Sequence, residues 1–274
     1  MIRTAQCLAL AAFVLAPVAA SAAAAVPDFY RNATPWSTRD GKNLEAPPPG
    51  APGARGPIGN HPDHPHFGNN TGRPTPRIGN DTSPLLTPWA ADQMRKTREA
   101  IVAGGTPYDP AERCWPPGVP GIISFGVAAM YFLQTPNEVI IVYERGQIAR
   151  HVLLNRAHSA NLKPTWHGES VGHYEGDTLV VDTIGLTDKT FVDVFNVPHT
   201  TALHVVERYR IAENRLQVVV TVDDPGAFKQ PWSGSKTFTA GTETRMEEVL
   251  CQEAGEDRFN TTVKPLPTAA RADF

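Results

Sequence analysis

Nine short runs of β-forming residues follow one another between Val127 and Gln252, and no other feature constrains the fold as strongly. They cover 127–134, 138–144, 147–154, 168–174, 177–184, 202–211, 215–223, 233–240 and 245–252. Turn-forming residues separate many of them: Pro136-Asn137, Arg145-Gly146, Glu175-Gly176-Asp177, Glu213-Asn214 and Ala240-Gly241. Regular spacing of this kind predicts an antiparallel meander. About nine strands are too many for one flat sheet in a small domain. Closure into a lipocalin-like β-barrel removes the exposed edges and leaves an interior that can hold a small ligand. A two-sheet sandwich is the alternative.

Proline usage sets the preceding region apart, with 18 of the 26 prolines between Pro27 and Pro120. The Gly- and Pro-rich stretch around Ala46–Pro76 offers little apolar surface to offset ordering entropy, so it reads as an extended or disordered arm. One helix follows at about 88–103. Thr87 suits its N-cap, Pro88 its first position, and Trp89, Met94, Ile101 and Val102 can share an apolar side before Gly104-Gly105 ends it. The expected organisation is a signal peptide over 1–25, the arm over 26–82, a helix-plus-barrel domain over 83–255 and a tail over 256–274.

Arg3, the apolar run from Cys7 to Ala20 and the Ala-rich tract after it match an export signal, which places the mature chain in the periplasm or outside the cell. No later stretch has the ~20 apolar residues of a membrane-spanning helix. Export leaves Cys114 and Cys251, an even pair in an oxidising compartment, and predicts a disulfide between them. The net charge of −3 comes with no basic stripe, so nothing points to nucleic acid.

Ionisable residues concentrate between Trp166 and Arg210, where they interrupt or flank runs of valine and leucine. Asp182, His199, His204 and Arg208 are the candidate catalytic groups: a histidine to move a proton, a carboxylate whose pKa responds to burial, and a cation to steady negative charge. Trp166, His167, Glu169, Tyr174 and Glu207 are the candidate ligand-binding residues. An ion pair between Asp182 and Arg208 is the structural alternative for those two. Alternation puts His204, Val206, Arg208 and Arg210 on one side of their strand and Val205, Glu207 and Tyr209 on the other, without fixing which side faces the lumen. His199 and His204 with Glu207 or Asp182 offer nitrogen and oxygen donors, but His-x4-His lacks the fixed face of a helical metal motif, so no metal is assigned. The His61, His64 and His66 cluster lies in the Pro-rich arm and reads as solvated linker. Asp223-Asp224-Pro225-Gly226 reads as a turn. No phosphate-binding glycine loop, dinucleotide fingerprint or nucleophile elbow is present, and no cofactor is assigned.

The strings LTPWAADQMRKTREAIVAGG, YDPAERCWPPGVP, QTPNEVIIVYE, LKPTWHGESVGHYEGDTLVVDTIG, PHTTALHVVERYR and VDDPGAFKQPW resemble a large uncharacterised family of exported bacterial proteins. The resemblance spans roughly Ser83 to Cys251. It implies a helix followed by β-structure, paired cysteines and a periplasmic setting, and it brings no catalytic residues with it. The family commonly has histidine where this chain has Glu169, and tryptophan where it has Tyr174.

Three function classes follow. The first is a barrel that binds a small organic ligand in a polar-lined lumen, with selectivity from Asp182, His204 and Arg208. The second is a cofactor-independent acid–base enzyme, a lyase, isomerase or hydrolase, on the same scaffold. The third is an interaction module whose arm engages another envelope protein.

Overall fold

The computed structural model describes residues 26–31, 34–38, 44–55, 80–103, 110, 114–124 and 129–241. Nine strands close into one barrel in chain order. They are β1 (Trp36–Ser37), β2 (Met130–Gln134), β3 (Glu138–Tyr143), β4 (Ile148–Leu154), β5 (Glu169–Glu175), β6 (Thr178–Ile184), β7 (His204–Ala212), β8 (Arg215–Asp223) and β9 (Trp232–Ala240). Helix α1 spans Pro88–Val102 and a single-turn helix α2 spans Gly121–Ser124. The Thr87 hydroxyl accepts from Ala90 N–H at 3.3 Å and donates to the Gly226 carbonyl at 2.7 Å, so the α1 cap also ties the helix to the barrel.

Two features of the meander differ from expectation. Strands β4 and β5 run parallel, with Val152 opposite Ser170 and Leu154 opposite Gly172. Residues 155–168 therefore cross from one end of the barrel to the other, a step that a two-residue turn cannot make. Closure, moreover, comes from Trp36–Ser37, which pairs with β2 on one side and β9 on the other. The expected strand at 245–252 and the C-terminal tail lie outside the described residues, as do the signal peptide, Cys251 and the His61–His66 cluster.

The described parts of the expected arm pack on the barrel. Phe29, Trp36 and Leu44 are buried, and Glu45 bridges to Ser235. Phe29 lies against Phe132 with ring centroids 5.2 Å apart, and its N–H donates to Gln134 Oε1 at 2.7 Å. Proline density masked these few apolar anchors.

The β2–β3, β5–β6 and β7–β8 turns gather at this end of the barrel, and the β3–β4 turn lies at the other. Glu213 and Asn214 both have positive φ, 51° and 61°, the conformation of a two-residue turn that matches strand twist. Longer segments cover the opposite end: the β6–β7 and β8–β9 connections, with Leu86, Val119, Ile123, Leu186 and Val197 buried in the same core. Strand register fixes which side chains point inward. Leu216, Val218, Val220 and Val222 of β8 have no exposed surface, and they stand opposite Tyr209, Glu207 and Val205 of β7 and Phe238, Lys236 and Trp232 of β9. Each fully buried valine or leucine contributes about 1.5–3 kcal/mol relative to exposure.

Candidate functional site

The inward phase of the strands is apolar except at a few positions, and those positions meet. Arg150 on β4 and Glu207 on β7 are 3% and 0% exposed, and Arg150 Nη2 donates to Glu207 Oε2. The same nitrogen donates to Thr183 Oγ1 at 2.7 Å, and Arg150 Nε donates to Ser170 Oγ at 3.0 Å. Ser170 and Thr183 share a hydrogen bond of 3.0 Å, and Tyr209 OH donates to Glu207 Oε1 at 2.8 Å. Strands β4, β5, β6 and β7 thus each place at least one polar side chain in a single buried network. Lys236, on the inward phase of β9, is also buried.

Electrostatics follow from this enclosure. Burial alone would lower the Arg150 pKa, but Glu207, Tyr143 and Tyr209 together hold it above its ordinary value. Burial raises the Tyr143 and Tyr209 phenols, so both stay protonated. His167, on the crossover before β5, is pushed down to about 4 by burial and then by the Arg150 charge, so its imidazole is neutral. Three polar atoms in this region have no protein partner: Arg150 Nη1, Tyr143 OH and His167 Nε2. Tyr143 OH lies beside Arg150 and Tyr209 without reaching hydrogen-bond geometry with either.

Of the residues expected to line the lumen, Glu207 is in place, whereas Asp182, His204 and Arg208 are on the outside. Val181, Val205 and Tyr209 take the inward phase of β6 and β7, and strand geometry sends their neighbours the other way. Asp182 does not pair with Arg208. Its Oδ1 instead meets His158 Nε2 at 2.9 Å and His204 Nε2 at 3.0 Å, while Arg208 Nη2 donates to Glu175 at 2.5 Å. Glu169 extends the outer network: it contacts His158 Nδ1 at 3.1 Å and accepts from Ser159 N–H and Oγ at 2.7 and 2.6 Å. The histidine contacts prevail over burial to lower Asp182, and the bond to Asp182 raises His204.

His199 is buried in the β6–β7 connection, where both ring nitrogens are engaged. Nδ1 donates to the Thr200 carbonyl at 2.9 Å and Nε2 accepts from Thr190 Oγ1 at 2.7 Å. Burial lowers its pKa, and the ring, with both nitrogens hydrogen-bonded, braces the loop. Asp224 braces the same loop by accepting from Thr200 N–H at 2.6 Å and Gly226 N–H at 2.9 Å, consistent with the turn read there. Among the described residues no group of three or more His, Cys, Asp or Glu is arranged to hold a metal. Trp166 packs against Trp115 with centroids 5.4 Å apart on the crossover, and Tyr174 points inward at the hairpin end, its OH accepting from Gln134 Nε2 at 2.9 Å. Those two stand at opposite ends of β5. Cys114 is described but Cys251 is not, so the expected disulfide falls outside the described residues.

Sequence reasoning missed Tyr143, Arg150, Ser170, Thr183, Tyr209 and Lys236 inside the barrel, and His158 outside it. A signal existed for Arg150: in Ile148-Ala-Arg-His-Val-Leu-Leu154 it occupies the apolar phase shared by Ile148, Val152 and Leu154. Among the described residues no helix is long and apolar enough to cross a membrane.

No protein-family model matches the chain, and no curated protein matches it. Among solved structures it is similar to a mutant of the fluorescent protein UnaG, at 14% identity over 43% of this chain and 76% of that one, with a TM-score of 0.26. Likeness at that level has no bearing on function, which rests on the side chains described above.

Proposed function

We propose that the protein binds a small organic molecule inside its barrel, with the Arg150–Glu207 network as the polar feature that orients it. One observation carries this reading: a barrel interior that is largely apolar encloses a connected set of polar side chains that leaves Arg150 Nη1 and Tyr143 OH without partners. Buried polar groups are normally satisfied, so such atoms mark a place built to receive something. Apolar walls with a few placed polar groups are also the usual make-up of a small-molecule site.

In this reading the outer His158–Asp182–His204 network is structural, since it ties the crossover to β6 and β7. The export signal over 1–25, the Cys114–Cys251 disulfide and the periplasmic or secreted location belong to the proposal and rest on the sequence alone. Extraction of the purified, intact chain under denaturing conditions, followed by mass spectrometry, tests the reading. Release of a discrete small molecule in near-stoichiometric amount supports it. An extract without one, together with tryptophan fluorescence that no apolar additive perturbs, defeats it.

A further inference from the structure

Building on the ligand-binding reading above, we propose that the guest carries a hydrogen-bond-accepting oxygen, of a carbonyl or a carboxylate, which Arg150 Nη1 and Tyr143 OH bind together. The assignment comes from which valences of the buried network are already used. Arg150 Nη2 spends its two hydrogens on Glu207 and Thr183, and Nε donates to Ser170. Both hydrogens on Nη1 remain. Glu207, by contrast, has each oxygen engaged, one by Arg150 and one by Tyr209.

Tyr143 lies at the end of β3, two residues along the inward phase from Ile141, the cross-strand partner of Arg150. Both Tyr143 and Arg150 are more than nine-tenths buried, at 4% and 3% exposure. Each therefore presents a donor to the interior without competition from bulk water. A guest amine would have to share carboxylate oxygens already engaged by Arg150 and Tyr209, and it would meet the Arg150 charge. An acceptor oxygen meets the opposite conditions, because two donors converge on it and the charge beside it is positive. Val139, Ile141, Val152, Val181 and Val218 share the interior phase of the strands, so a guest held there would be apolar away from its oxygen end.

Titration calorimetry with octanoic acid, 2-octanone and octylamine, on the full chain and on Tyr143→Phe, tests the assignment. This substitution keeps the ring and deletes only a hydroxyl that has no protein partner, so folding is preserved. The acid or the ketone should bind about tenfold more tightly than the amine, and Tyr143→Phe should remove most of that preference, the worth of one buried hydrogen bond. The better of the two oxygen probes tells whether carboxylate or carbonyl is preferred. Equal affinity for all three probes overturns the assignment, as does a Tyr143→Phe protein that binds the acid and ketone as the parent does. A Tyr143→Phe protein of lower thermal stability with unchanged affinity also overturns it, since the hydroxyl would then serve internal water. Failure of every probe to bind, combined with an empty extract, counts against the ligand-binding reading itself, so the two failures are separable.

Discussion

Replacing Arg150 with methionine isolates the energetics of the buried pair. Glu207 has no exposed surface, and the substitution leaves it with only the Tyr209 hydroxyl as a donor. Breaking a buried ion pair by removing one partner costs about 3–5 kcal/mol, because the remaining charge is neither solvated nor compensated. Glu207→Leu should cost a similar amount, by stranding the guanidinium. The double variant, Arg150→Met with Glu207→Leu, removes both charges. Ser170 and Thr183 still bond one another, so the principal polar atom newly stranded is Tyr209 OH, at about 1–3 kcal/mol. The double variant should therefore be more stable than either single one, with a coupling of several kcal/mol between the two positions. Urea unfolding followed by tryptophan fluorescence measures this, with Trp36 and Trp232 as fully buried reporters. Strict additivity of the two single losses, or single losses below about 1 kcal/mol, would refute the picture of a dry, isolated pair.

Other expectations follow from individual side chains. His167 has a folded pKa of about 4 against an ordinary value near 6.5, so the unfolded chain takes up the proton first as pH falls. Its contribution is complete above pH 6.5 and declines toward pH 4, by about 3 kcal/mol in all; His167→Gln should flatten that part of the stability–pH curve, and an unchanged slope would exclude His167 as its source. Gly168 has φ 65°, and a Cβ there would lie 2.4 Å from the Ile184 carbonyl oxygen, so Gly168→Ala should cost about 2 kcal/mol or more in urea unfolding. Asp182→Asn should bring the raised titration midpoint of His204 back down toward its ordinary value, as read by NMR, whereas an unmoved midpoint would remove Asp182 as the cause.

Barrel formation was legible because it depends on local signals that repeat. Apolar alternation and turn residues located eight of the nine strands to within a few residues, and Thr87-Pro88 marked the start of α1. The closing strand was not legible, since two residues, Trp36–Ser37, have no periodicity to read, and their strand character comes from neighbours almost a hundred and two hundred residues away. The parallel β4–β5 pair was hidden for a related reason: nothing local distinguishes a connection that turns back from one that crosses the barrel.

The candidate site shows how far residue type can mislead when strand phase is unknown. A histidine and an aspartate on neighbouring strands suggest chemistry, yet Asp182 and His204 share a face that β6 and β7 present outward. There each finds a partner, and the network closes on itself. The inward face carries residues that look ordinary in sequence, an arginine in one strand and a serine, a threonine and a glutamate in three others. Burial gives those groups their importance, because an arginine that would be solvated on the surface must here find its partners inside the barrel. One comparison of strands would have exposed it. Val205, Tyr209, Val218 and Val220 establish the interior phase of β7 and β8, and the same test applied to β4 and β9 singles out Arg150 and Lys236 as the charges that break it. A charge on the apolar phase of a barrel strand is thus a stronger pointer to a buried polar network than a dense cluster of ionisable residues on either face.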